Sequence, residues 1–141
     1  MIIAVDFDGT IVEHAYPKVG KPIPFAIDVL KRLQDEDRHQ LIMWTVRSGA
    51  LLEEAVEYCR AQGLEFYAIN KSYPEEVFDD SISRKLNCDL FIDDRNLGGM
   101  LDWGIIYRMI KNKQTYAQAF SEGGSLPQKP KRGLFNFLKN K

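Results

Sequence analysis

Long apolar runs are scarce in this sequence. The longest nearly uncharged stretches, such as residues 41–46, fall far short of the roughly 20 residues that cross a bilayer, and residues 1–5 run straight into Asp6. The reading therefore predicts neither a transmembrane helix nor a signal peptide. Cysteine is sparse too: Cys59 and Cys88 stand apart, with no CxxC or Cys/His spacing, which excludes a disulfide framework and a zinc ribbon and suits reduced thiols in a cytoplasmic protein. Charge of one sign is lacking, since 19 Lys+Arg offset 20 Asp+Glu. No internal repeat or low-complexity tract is present, and 45% hydrophobic residues with 10 Gly and 6 Pro in 141 exclude disorder, collagen and coiled coil. A chain of this size buries roughly two thirds of its unfolded surface and needs no staple to fold.

The near-neutral total hides an asymmetry. Residues 128–141 hold five basic residues (Lys129, Lys131, Arg132, Lys139, Lys141) and no acid, so residues 1–127 hold 14 basic against 20 acidic, a balance of −6. The expected organisation is one domain over 1–127 followed by a basic, solvated tail. An acidic body does not advertise a duplex nucleic-acid groove.

Apolar and helical periodicities alternate along the chain. Residues 1–5 (MIIAV) read as a strand buried on both faces, ending in Asp6-Phe7-Asp8-Gly9-Thr10. Residues 11–24, with Pro17, Gly20, Pro22 and Pro24, read as an irregular flap, and Phe25, Ile27, Val29, Leu30 and Leu33 predict a helix over 24–36. A second strand over 41–44 ends at Thr45, and a helix over 49–62 stops at Gly63. A third strand is expected over 65–69, a short helical turn over 81–86, a fourth strand over 89–93, and a helix over 101–112. Strands separated by helices imply an α/β fold: a three-layer, Rossmann-like open parallel sheet of four or five strands with helices on both faces. In such sheets functional groups gather beyond the carboxyl ends of the strands, where Asp6, Thr45 and Asp93 all fall.

Four strand-end elements in this order, Asp6-x-Asp8-Gly9-Thr10, then Thr45, then a Lys-bearing segment, then Asp93-Asp94, resemble the haloacid dehalogenase superfamily over residues 1–98. For a phosphohydrolase of that family the resemblance implies an Asp6 nucleophile, an Asp8 general acid/base, a Thr45 phosphate ligand and a Lys85 cation eight residues before Asp93. It also implies Mg²⁺ held by Asp6, Asp8 (through its main-chain carbonyl), Asp93 and Asp94, and an aspartyl-phosphate intermediate. Arg84 and Lys71 are rivals to Lys85. The adjacent final acids depart from the wider spacing common in the family; Asp93 is the expected direct ligand and Asp94 the residue acting through water or a neighbour.

Elementary electrostatics runs parallel to the resemblance. Carboxylates brought this close repel by about 4 kcal/mol per pair at an effective dielectric near 20, so the cluster needs a cation, and all-oxygen ligation favours a hard one such as Mg²⁺. Gly9 permits the turn that holds Asp8, and Gly9, Thr10 and Arg47 are candidate substrate contacts. Each residue also has an ordinary reading: Asp6 and Asp8 as turn acids, Thr45 as a β-branched strand end, Lys85 as a surface lysine, and Arg47 as a local cap or salt bridge. His14 lies in the flap and His39 in a charged turn, and Tyr16, Trp44 and Trp103 are read as packing residues.

The intervals between these elements, 35 residues from Thr10 to Thr45 and 40 from Thr45 to Lys85, leave no room for a cap domain. An open mouth suits a phosphate on a large or protruding substrate, or a lid lent by a second subunit. The expected activity is thus a Mg²⁺-dependent phosphomonoesterase. The alternative is a non-catalytic phosphate-binding or receiver-like domain, although receivers carry their acid pair early and the phosphorylated Asp mid-chain, the reverse of this order.

Overall fold

The computed structural model describes residues 1–121; the expected basic tail, 128–141, lies outside them. The chain divides into two compact units, residues 1–100 and the residues from 101 onward, where the sequence reading placed one domain over 1–127.

In the first unit, β1 (Ile2–Val5), β2 (Gln40–Met43), β3 (Ala68–Ile69) and β4 (Leu90–Ile92) form one sheet in the order β3-β2-β1-β4. Every pairing is parallel, as expected of an α/β Rossmann-like open sheet. Register carries the argument forward: Val5 lies beside Met43 on one side and Ile92 on the other. The next residues, Asp6, Trp44 and Asp93, therefore leave the sheet at one edge together. The Asp6 amide donates to the Ile92 carbonyl and the Trp44 amide to Val5, each at 2.8–2.9 Å, so these exits are fixed by main chain.

Strand alternation splits the core in two. One face carries Ala4, Ile42 and Ala68 in a row, covered by Leu86 and flanked by Ile2, Trp44, Cys88 and Phe91. The other parity includes Ile3, Val5, Leu41 and Met43, all buried, and Phe7, whose ring meets Tyr58 of α2 (Gly49–Ala61) edge-on at 5.9 Å. Helix α1 (Ala26–Asp35) buries Ala26, Val29, Leu30 and Leu33 at i, i+3, i+4 and i+7. Of the residues read from the sequence, Val29, Leu30 and Leu33 lie in this stripe, whereas Ile27 is half-buried and Phe25, just before the helix, is exposed. Helix α2 ends as Gly63 predicts. At φ +77° this glycine donates to the Arg60 carbonyl while Leu64 donates to Cys59, the pair of bonds that closes a Schellman cap.

Two expectations need correction. The third strand is two residues long instead of five, because β3 is an edge strand paired only with β2. The helical turn over 81–86 does not form. Asp79 Oδ1 accepts from the Ser81 amide and hydroxyl, and this local turn competes with helical pairing.

The second unit holds α3 (Trp103–Asn112), capped by Asp102 through the Gly104 and Ile105 amides, and a short α4 (Tyr116–Phe120) that the sequence reading did not include. The signal for α4 is a capping box: Thr115 Oγ1 accepts from the Gln118 amide and Gln118 Oε1 from the Thr115 amide. Among the described residues no helix is long and apolar enough to cross a membrane.

Candidate functional site

The exits of β1 and β4 bring Asp6, Asp93 and Asp94 together, each offering a carboxylate oxygen within 4.8 Å of the others. Thr10 ties the two strand ends. Its buried hydroxyl accepts from the Asp94 amide at 3.1 Å and reaches Asp6 Oδ2 at 3.5 Å. Asp93 Oδ1 accepts from the Arg95 amide at 2.8 Å, and Asp94 Oδ2 meets His14 Nε2 at 3.1 Å. Asp94 Oδ1 is buried without a hydrogen-bond partner, an orphan acceptor that a cation would satisfy. Gly9 makes room for this corner: at φ +86° a Cβ there would fall within 2.7 Å of His14 Cδ2 and closer still to Asp94 Oδ2.

Burial, then the negative charge of Asp93, Asp94 and Asp8, pushes the Asp6 carboxyl up to about 7. The hydrogen bond from the Phe7 amide to Asp6 opposes that rise without cancelling it. The arrangement accordingly gains from any divalent cation placed among the three acids, and the residues present fit one.

Asp8 takes another direction. Its side chain is 7% exposed and accepts bidentately from Arg47, Nε to Oδ2 at 2.6 Å and Nη2 to Oδ1 at 2.7 Å. Arg47 is 1% exposed, and its remaining hydrogens go to the carbonyls of Pro17, Lys18 and Leu51. The Asp8 bonds hold its proton more tightly than usual, raising the guanidinium further. Of the two readings of Arg47, the structure shows the salt bridge; the group also lies over the rings of Phe7 and Tyr16, 5.2 and 5.3 Å from their centroids.

Thr45 Oγ1 accepts from the Arg47 amide at 3.2 Å, and the Thr45 amide donates to Asn70 Oδ1 at 2.8 Å. Asn70, which the sequence reading did not select, links the end of β3 to this loop, with a left-handed backbone at φ 52° and a second bond to the Arg47 carbonyl. An Asn directly after an apolar strand, before Lys71, was the available signal.

A cavity of about 570 Å³ opens over the acids, lined by Asp6, Asp8, Thr45 and Asp93 and rimmed by His14, Tyr16, Trp44, Val46 and Arg95. The expected cation is elsewhere. Lys85 Nζ lies 5.9 Å from the Phe91 ring centroid, Arg84 rests over Phe78, and Lys71 donates to the Pro74 carbonyl. None of the three lines the cavity. The reason is the missing helical turn: Leu86 is anchored in the apolar cluster of the sheet face, which leaves Lys85 over Phe91, two residues short of Asp93. His39 meets the amino terminus of Met1 at 3.2 Å, remote from these acids in the chain and at the other end of β1.

The flap is a closed loop. Val12 bridges Pro22, Glu13 donates to Lys21 and Ile23 to Ile11, so its two legs are paired at the base while Arg47 grips residues 17 and 18 at the far end.

No family model and no curated protein matches the sequence. A solved structure, that of a conserved protein coded by a locus from Bacteroides thetaiotaomicron, is 64% identical, with a TM-score of 0.82 over 86% of this chain and 98% of that one. At that identity and coverage, the chain belongs to the family of the conserved Bacteroides thetaiotaomicron protein.

Proposed function

We propose that this protein is a Mg²⁺-dependent phosphomonoester hydrolase of the haloacid dehalogenase type. The observation that carries the reading is the convergence of Asp6, Asp93 and Asp94 within 4.8 Å at the carboxyl end of a parallel sheet, with Thr45 opening on the same cavity. Asp6, Asp93 and Asp94 would hold the ion, with Asp94 Oδ1 as an unspent acceptor; when bound, Mg²⁺ neutralises phosphoryl charge that would otherwise repel a carboxylate.

The remaining chemistry belongs to the chain. Ionised Asp6 attacks phosphorus and forms an aspartyl phosphate as the ester oxygen leaves. Asp8 hands the departing ester oxygen a proton and later takes one from the water that hydrolyses the acyl phosphate, releasing inorganic phosphate and regenerating Asp6. Both Asp8 oxygens accept from Arg47, so one of these bonds opens for each transfer. The Thr45 oxygen already accepts from the Arg47 amide, and its hydroxyl hydrogen remains to be donated to a phosphoryl oxygen.

A second reading, a phosphate-binding domain without turnover, draws on one observation: the bidentate hold of Arg47 on Asp8. The test is hydrolysis of an aryl phosphate with Mg²⁺ and with EDTA by the native protein, Asp6→Asn and Asp8→Asn. The hydrolase reading expects Mg²⁺-dependent turnover lowered by orders of magnitude in each variant; metal-independent turnover, or full activity in either variant, overturns it. We place the protein in the cytoplasm, in keeping with Cys59 and Cys88 as free thiols.

A further inference from the structure

The exposed tyrosine at the cavity rim is held far more firmly than its exposure implies. Tyr16 is 55% exposed, yet its ring lies 5.3 Å from the buried Arg47 guanidinium, and the next two carbonyls of the chain, Pro17 and Lys18, accept from the same guanidinium at 3.0 and 2.9 Å. Arg47 is in turn fixed by Asp8 and packs over the ring of Phe7. One aromatic ring of an otherwise irregular flap is thereby locked in place beside the reacting carboxylates. An aromatic side chain left half in water stabilises little by itself, whereas a pre-ordered ring offers stacking area at small entropic cost.

Trp44 and the 78%-exposed Val46 add apolar surface to the same cavity, which Asp6, Asp8, Asp93, His14 and Arg95 also line. A charged phosphoryl group and an apolar ring would thus find separate places in one volume of about 570 Å³, the size of a small-molecule site.

We infer that Tyr16 is a stacking platform for the leaving group, and that the substrates are small phosphomonoesters whose alcohol carries a planar aromatic or heteroaromatic ring. The inference rests on the hydrolase reading for what the phosphoryl end does, and it adds the chemistry of the other end. Arg47 then has two duties: it holds Asp8 at the cavity wall, and it fixes the ring beside which the ester oxygen departs.

The test uses non-hydrolysable ligands, so it does not depend on turnover. Binding of benzylphosphonate and of cyclohexylmethylphosphonate to the full-length protein with Mg²⁺ is measured by calorimetry; the two match in size and charge and differ in whether the ring is planar. Aromatic pairing at its usual strength makes benzylphosphonate bind roughly two- to tenfold tighter. Tyr16→Leu, which still covers Arg47, should bring the ratio to about one, and Tyr16→Phe should keep it. Because both ligands are measured on each variant, a general loosening of the flap cancels from the ratio. Equal affinities in the native protein, a preference that survives Tyr16→Leu, or no binding of either phosphonate at millimolar concentration overturns the inference. Hydrolysis of benzyl phosphate is read separately. No turnover with the ring preference intact sinks the hydrolase reading and leaves the platform standing, whereas turnover without a ring preference sinks the platform alone.

Discussion

Replacing Arg47 by methionine should be the most damaging single change in the first unit. Methionine fills much of the same volume but leaves the Asp8 carboxylate, 7% exposed, without its bidentate partner. Removing one member of a buried ion pair destabilises by about 3–5 kcal/mol, because the remaining charge is stranded in a poor solvent. The Pro17, Lys18 and Leu51 carbonyls lose donors as well, each worth about 0.5–1.5 kcal/mol where water does not replace it. With a urea m-value of about 1.5 kcal/mol/M, the pair alone moves the unfolding midpoint down by roughly 2–3 M. Most of this effect comes from an orphaned charge, so Asp8→Leu combined with Arg47→Met should be more stable than Arg47→Met alone. Urea unfolding of the native protein, both single variants and the double variant gives the coupling directly. A loss below about 1 kcal/mol for Arg47→Met, or strict additivity in the double variant, would show that the pair behaves like an exposed salt bridge and refute the reasoning.

Further outcomes follow from the same geometry. Asp6 is raised from 3.8 to about 7, so the folded state keeps a proton that the unfolded chain releases, and metal-free stability should fall as pH rises through that window; urea midpoints in EDTA from pH 4 to 8 should slope downward, and Asp6→Asn should flatten the slope. Mg²⁺ should raise the melting temperature of the native protein and do so less for Asp93→Asn and Asp94→Asn, and an equal rise in all three would dissociate the acids from the ion. Gly9→Ala should both destabilise and weaken Mg²⁺ binding, since φ +86° and the contact with Asp94 oppose any Cβ; an unchanged melting temperature would contradict the crowding at this corner. Thr10→Val removes the hydroxyl that joins the Asp94 amide to Asp6 and should lower stability by about 1–3 kcal/mol, measured by urea unfolding, because a buried N–H loses its acceptor.

What the sequence made legible has a common physical origin. The parallel sheet and the meeting of Asp6 with Asp93 and Asp94 follow from short apolar strands that end abruptly in acids, a pattern that needs no knowledge of side-chain direction. Arg47 was legible as a residue but not as a contact. Two positions after Thr45 it had equal claim to a phosphate and to a local partner, and only the fold shows Asp8, 39 residues away in the chain, buried against it. Lys85 was placed by the resemblance, eight residues before Asp93. Its path depended on whether residues 81–86 wound into a helix, and a local turn at Asp79 decided otherwise. Tyr16 was read as packing; its ring lies over the Arg47 guanidinium, yet the residue is 55% exposed.

The central place of β1 in the sheet has a consequence for synthesis. Strand β1 emerges from the ribosome before its partners and can pair with β2 early, but its other edge waits for β4, and the Ile2 amide finds the Asp89 carboxylate only across 87 residues. Such distant closure is slow relative to local structure, so a nascent chain would present a half-finished sheet with an open edge until Ile92 has emerged. The acids that repel one another are then gathered in the same late step, and a divalent ion bound among them would favour completion of the first unit during translation.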